Sequence, residues 1–240
     1  MQENQNRLAI PAAIVVAGLL IAGSIFVTRT GGTRNGVDVA GVADVAKDIN
    51  PRAVTAEDHI LGNPDADVIM IEYSDTECPY CKSFHATLHQ IMDEYGKGGK
   101  VAWVYRHFPI DQLHSKARNE AEATECVKEL GGEEKFWTYL DKIFTETSSN
   151  DSLDPKRLPE LALEVGVDQA AFSKCLANRT YKDKVERDIK DAFAAGARGT
   201  PHTVIVTKDG EKYPVEGGQP ISVVKAVIDS LLAGTKPAVQ

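Results

Sequence analysis

VIMIEYSDTECPYCKSFHATLHQI, residues 68–91, changes its apolar rhythm halfway along. Val68-Ile69-Met70-Ile71-Glu72-Tyr73 is a nearly continuous apolar run that follows a turn signal, Asn63-Pro64-Asp65, and predicts a short buried strand. Beyond Cys81, Phe84, Leu88, Ile91 and Tyr95 recur every three or four positions, the spacing of one helix face. Cys78 and Cys81 fall at the junction, where the strand has ended and the helix begins.

Thiol–disulfide exchange needs an attacking thiolate, a second thiol that resolves the mixed disulfide, and a device that stabilises anionic sulfur. Cys78-Pro79-Tyr80-Cys81 supplies the two thiols within one helical turn. A cysteine at a helix N-terminus meets the positive end of the macrodipole and unpaired N–H groups, both of which lower its pKa. Pro79 suits the first turn, where it forfeits no hydrogen bond and presets φ. Cys81, one turn in, is expected to be the more buried, resolving thiol. The same spacing could supply half of a zinc site. No second Cys-x-x-Cys follows, and His85 and His89 lie one and two turns away from the helix start. The strand-to-helix setting therefore favours redox chemistry, and no metal is expected.

Working outward, Gly96 to Gly99 stops the helix, and Val101-Ala102-Trp103-Val104-Tyr105 predicts a second buried strand ending at Pro109. Strand, helix, strand implies a right-handed parallel unit. About eighty helical residues follow. Phe136, Leu140, Ile143 and Phe144 form one stripe, Leu158, Leu161, Ala162 and Val165 a second, and Val185, Ile189, Ala192 and Phe193 a third. The aromatics Phe136, Trp137, Tyr139 and Phe144 read as core, and His107 and His114 as core or surface groups. Gly199-Thr200-Pro201 then precedes a strand over 202–207, Asp209-Gly210 marks a hairpin turn, and Lys212 to Glu216 returns. A last helix carries Val224, Val227, Ile228 and Leu231.

The chain has 240 residues and a formal net charge of −8, with no basic stripe to displace counterions, so a nucleic-acid partner is not expected. Leu8 to Val27 carries no charge over twenty residues, about 30 Å as a helix, which matches the hydrocarbon thickness of a bilayer. A cleaved signal peptide is the alternative, and length favours a retained anchor. Residues 31–56, rich in Gly, Asp and Ala, read as a linker.

EYSDTECPYCKSFH after a strand, RHFP closing the next strand and GTP before a hairpin together resemble the DsbA-like thiol:disulfide oxidoreductases, over roughly residues 57–233. The resemblance implies an α/β thioredoxin fold with an inserted helical subdomain, about residues 112–188, which would follow the N-terminal transmembrane helix read from the uncharged stretch at 8–27. It implies that Pro201 is a cis-proline packed beside the cysteine pair, and that Thr200 offers its backbone to a substrate chain. It places Glu72 beneath the active-site disulfide, where a buried carboxyl with a raised pKa could relay the proton of Cys81. The other reading of Glu72 is an acid on the exposed face of an edge strand. Tyr80 is expected to face solvent and contact partners or tune the potential, and Asp75 and Glu77 to be solvated loop acids. Cys126 and Cys175 match helices that carry a structural disulfide in several relatives; unpaired, they would be two small buried hydrophobes.

The expected organisation is an anchor at 1–30, a linker at 31–56 and one domain at 57–235. The expected function is protein thiol:disulfide oxidation through Cys78 and Cys81 on the extracytoplasmic side of a cell membrane, without cofactor. Its implied partners are unfolded or maturing exported proteins with free cysteines and a membrane redox protein, DsbB-like or equivalent, that resets the pair. Reduction or isomerisation by the same site, and a non-catalytic peptide-binding module, are the alternatives.

Overall fold

A computed structural model describes residues 49–237. The anchor expected at residues 8–27 and most of the expected linker lie outside the described residues; within them no helix is long and apolar enough to cross a membrane.

Five strands form one sheet in the order β1-β3-β2-β4-β5. These are β1 (His59–Gly62), β2 (Val68–Ser74), β3 (Val101–His107), β4 (His202–Thr207) and β5 (Lys212–Glu216). β2 and β3 run parallel and in register from Val68↔Val101 to Ser74↔His107, and the other three pairings are antiparallel. Helix α1 (Pro79–Ile91) connects β2 to β3 and ends in one π-helical turn, Met92–Gly96. Between β3 and β4 lie α2 (Ala117–Gly131), α3 (Glu133–Glu146), α4 (Arg157–Glu164), α5 (Gln169–Ala177) and α6 (Lys182–Ala194), and α7 (Ile221–Leu232) closes the fold.

The central strands are apolar at nearly every position because both sheet faces are covered. On one face Val68, Met70, Trp103, Tyr105 and Ile205 pack with Phe84, Leu88 and Ile91 of α1, Val224, Val227 and Ile228 of α7, and Phe136, Trp137, Leu140 and Phe144 of α3. On the other face Ile71, Tyr73, Val104 and Val204 meet Val185, Ile189 and Ala192 of α6. A third core, with Cys126, Val127, Tyr139, Ile143, Leu158, Leu161 and Phe172, lies within the inserted helices. Truncating a buried leucine such as Leu88 to alanine in such a core costs about 2–5 kcal/mol.

Three expectations need correction. The insertion does not extend to 188: α6 is one unbroken helix through that position and packs on the sheet, so the inserted core ends before it. Phe193, expected on the buried stripe of that helix, is 63% exposed. The folded unit also begins earlier than 57. Ile49 is buried, the Asn50 N–H donates to the Ala194 carbonyl (2.8 Å), and Arg52 pairs with Asp58 and Asp188. The fully buried Arg106 of β3 joins this network, donating to Asp58 (2.9 Å) and Asp191 (2.7 Å) and so tying residues 52–58, β3 and α6 together. Removing one partner of such a buried ionic group leaves the other uncompensated, at about 3–5 kcal/mol.

Candidate active site

The cysteine pair sits where β2 hands the chain to α1. Cys78 is the N-cap residue with extended backbone (φ −80°, ψ 124°), and Pro79 follows at the first helical position. No side-chain oxygen caps the helix, which leaves the first-turn N–H groups directed at the sulfur region. Cys81 is fully buried and Cys78 nearly so. Hydrogen bonding from the Cys81 thiol, followed by Thr200 and the backbone N–H groups of Cys81 and Tyr80, pulls the Cys78 thiol down to about 6 against the opposing effect of burial. Burial, reinforced by Cys78, pushes the Cys81 thiol well up. The pair is therefore split into one ready thiolate and one thiol that keeps its proton.

The loop between α6 and β4 meets the pair from the other side. The Thr200–Pro201 peptide bond is cis, and the Cys78 thiol approaches the Thr200 carbonyl at 3.5 Å. Pro201 is buried and Thr200 half-buried. The Gly217 N–H donates to the Pro201 carbonyl at 3.0 Å, and a Cβ on Gly218 would come within 3.1 Å of the Tyr80 carbonyl, so a side chain there would press on the active-site turn. Tyr80 is 70% exposed.

Glu72 is fully buried on the central strand β2, not on an edge. Trp103 Nε1 donates to one carboxylate oxygen at 2.9 Å, and the other oxygen has no partner among the described residues. Burial raises its pKa to about 7. Its register neighbours across the sheet are Tyr105 and Thr203, and Ser74 follows two positions along the same face. The hydroxyls of all three are buried without a partner among the described residues, so an unpaired polar row surrounds this carboxyl.

Asp75 and Glu77 are buried, contrary to the expectation of solvated acids. The Asp75 carboxylate accepts from the Ile110 N–H (2.7 Å), the Glu77 N–H (2.8 Å) and His114 (2.9 Å), while its own N–H donates to Cys81 Sγ at 3.4 Å. Glu77 accepts from the Thr147 hydroxyl (2.9 Å) and the Leu153 N–H (3.2 Å), fixing the active-site turn to the loop between α3 and α4. These acids take the place of bulk solvent for N–H groups that would otherwise be buried unpaired. Asp75 and Glu77 stand beside the cysteine motif, yet apart from the Glu77 N–H on Asp75 their partners are 35 to 76 residues away, so the sequence around them does not show that they are buried.

Cys126 of α2 and Cys175 of α5 form a disulfide across the inserted helices. His107 is buried and paired with Glu125, and the aromatics Phe136, Trp137, Tyr139 and Phe144 are core residues.

Comparison with known proteins gives the same lineage. A family model described as Thioredoxin matches residues 54–230. DsbA2 of Pseudomonas aeruginosa is 30% identical, with a TM-score of 0.64 over 75% of this chain and 97% of that one. α-DsbA1 of Wolbachia pipientis is 26% identical, with a TM-score of 0.65 over 75% and 94%. BdbD of Bacillus subtilis, at 21% identity, shares the fold with a TM-score of 0.68 over 78% and 100%. Among curated proteins, the Na(+)/H(+) antiporter NhaA 3 of Salinispora tropica is 28% identical over 196 residues, which are 82% of this chain and 27% of the antiporter. The chain thus spans about a quarter of the length of the curated relatives it matches. With a thioredoxin sheet, an inserted helical unit and a cysteine pair at the head of α1, the chain belongs to the thioredoxin family as a DsbA-like protein thiol:disulfide oxidoreductase.

Proposed function

We propose that the chain is a dithiol oxidase that introduces disulfides into exported proteins, anchored to a membrane by residues 8–27 with its catalytic domain outside the cytoplasm. The observation that carries this direction is the split between the two thiols: stabilising the Cys78 thiolate stabilises the reduced pair, and a stabilised reduced pair makes the disulfide an oxidant. A substrate thiolate attacks Cys78 Sγ, the Cys78–Cys81 bond breaks, and the electron pair leaves on Cys81, which takes up a proton by way of Glu72. A second substrate thiolate then attacks the substrate sulfur of the mixed disulfide and releases Cys78 as thiolate. Two electrons pass from the substrate dithiol to the pair, and a membrane redox protein accepts them to restore the disulfide. The cis Thr200–Pro201 segment, with its carbonyl at the Cys78 sulfur, supplies the backbone against which the substrate strand aligns.

The Cys126–Cys175 disulfide supports an oxidising compartment. The uncharged stretch at 8–27 supports the tether, as does the likeness to part of a membrane antiporter, whose ion transport is not carried over with a quarter of its length.

The extent of that same stabilisation, not its direction, is the ground for the second reading, reduction or isomerisation. A Cys78 pKa of about 6 lies closer to the value of about 7 found in thioredoxin than to about 3.5 in the strongest oxidase. Incubating the oxidised chain with a reduced, unfolded secreted protein decides between them. Stoichiometric disulfide formation without added oxidant is the expected result; activity only with an external dithiol on disulfide substrates would assign the reductive direction.

A further inference from the structure

Helix α1 carries His85 and His89 one turn apart on the face that meets α3, and α3 presents Asp141 to both. His85 Nε2 lies 2.7 Å and His89 Nε2 2.9 Å from the same oxygen, Asp141 Oδ1, and the two nitrogens are 3.2 Å from each other. Three potential ligand atoms thus converge on one point from two helices. Four-coordinate zinc with Zn–N bonds of about 2.0–2.1 Å separates its ligands by about 3.3 Å. The histidine nitrogens already stand close to that separation, and the carboxylate oxygen needs to move away by about half an ångström.

Without a cation the cluster is frustrated. If both rings donate to Asp141 Oδ1, two N–H groups crowd one oxygen from the same side. If one ring is turned to its other tautomer, its Nε2 lone pair faces the carboxylate. No lysine or arginine among the described residues pairs with Asp141 to relieve this. The other histidine cluster, His59, His107 and Glu125, contrasts on that point. It is fully buried, and the Lys184 ammonium already supplies its cation at 2.8 Å from Glu125. The α1–α3 cluster is open: the side chains of His89 and Asp141 are 37% and 44% exposed, so an ion and its water can enter.

We propose that His85 Nε2, His89 Nε2 and an Asp141 carboxylate oxygen form a binding site for a divalent transition metal, Zn²⁺ by ligand type, with water at the remaining position. Two imidazoles and a carboxylate suit zinc and its neighbours better than the hard cations Ca²⁺ and Mg²⁺. His85 Nδ1 has no partner among the described residues, and loss of such outer support typically weakens a site about 10–100-fold. Affinity is accordingly modest. The site borders the redox centre, because both histidine rings meet Trp103 edge to face (5.2 and 5.3 Å between centroids), and Trp103 holds Glu72. A bound cation stands one indole away from the buried carboxyl and favours its ionised form.

The test uses the full chain with Cys78–Cys81 oxidised, so that no free thiol competes, titrated calorimetrically with Zn²⁺ and spectroscopically with Co²⁺. One equivalent should bind, with the intense visible absorption of four-coordinate cobalt. His89→Ala and Asp141→Asn alter partly exposed side chains and should each weaken binding at least tenfold while the far-ultraviolet circular dichroism stays that of the parent chain. No binding up to millimolar zinc, or binding undiminished in both variants, would overturn the assignment. Should either variant lose its fold, His89→Gln, which keeps the length and polarity of the side chain without an imidazole, is read by the same titration and the same criterion.

Discussion

Replacing Glu72 by glutamine should stabilise the protein at alkaline pH and leave it unchanged in acid. Burial holds the Glu72 carboxyl at about 7 in the folded chain against an ordinary value of 4.5. Between those values the unfolded chain releases the proton while the folded chain keeps it, so stability falls as pH rises from 4.5 to about 7 and is level above. The distance from 4.5 to about 7 corresponds to about 3 kcal/mol. Glutamine has no proton to lose, keeps an oxygen for the Trp103 indole N–H and fills the same space. Glu72→Gln is therefore expected to gain about 3 kcal/mol at pH 8 and almost nothing at pH 4. Urea unfolding of oxidised wild type and variant across this range reads the difference, with equal slopes required for a clean comparison. Oxidised protein is suitable because burial, not the Cys78 charge, is the main cause of the shift. A gain independent of pH, or a loss at pH 8, would refute the buried, proton-holding carboxyl. The same variant should pass on its disulfide more slowly below about pH 7, where the wild-type carboxyl holds the proton that Cys81 takes up.

The alkylation rate of Cys78 in the reduced chain should follow thiolate with a midpoint of about 6, at its plateau above pH 7 and falling in acid; a midpoint at the ordinary thiol value would show that the helix terminus and Cys81 do not stabilise the anion. Cys81→Ser should accumulate a mixed disulfide between Cys78 and a thiol substrate, visible as an adduct by mass spectrometry, whereas Cys78→Ser should form none. The double variant Cys126→Ser/Cys175→Ser opens a loop with a sequence separation of 49 and should lose about 4 kcal/mol by chain entropy, measured as a lowered urea midpoint. An unchanged midpoint would mean that the inserted helices hold together by their apolar core alone.

The parts legible in the sequence are those whose signal is local. The run Val68–Tyr73 announces a strand covered on both faces, and Phe84, Leu88 and Ile91 announce the buried face of α1. The helix-head position of Cys78 follows from the junction between them. The cis bond at Thr200–Pro201 has no local signal, since most X-Pro bonds are trans, and only the family resemblance anticipates it. Asp75 and Glu77 mislead because an acid in a polar loop is exposed by default; their burial depends on N–H and hydroxyl donors at Ile110, Thr147 and Leu153. Residues 49–56 read as linker by composition, yet Arg52 is held by Asp58, Asp188 and Asp191, and two of those carboxylates lie more than 130 positions away. β1, at four residues, is too short to show an alternation. The convergence of His85, His89 and Asp141 is half visible, as the one-turn spacing of the histidines; the third ligand arrives only when α3 packs on α1.

The measurement that bears most directly on the oxidase reading is the equilibrium reduction potential of the Cys78–Cys81 pair, titrated against glutathione. A stabilised Cys78 thiolate predicts a potential more oxidising than about −200 mV, within the span of protein disulfide isomerase (about −180 mV) and DsbA (about −120 mV). A potential near the thioredoxin value of about −270 mV would contradict it and assign the chain to disulfide reduction.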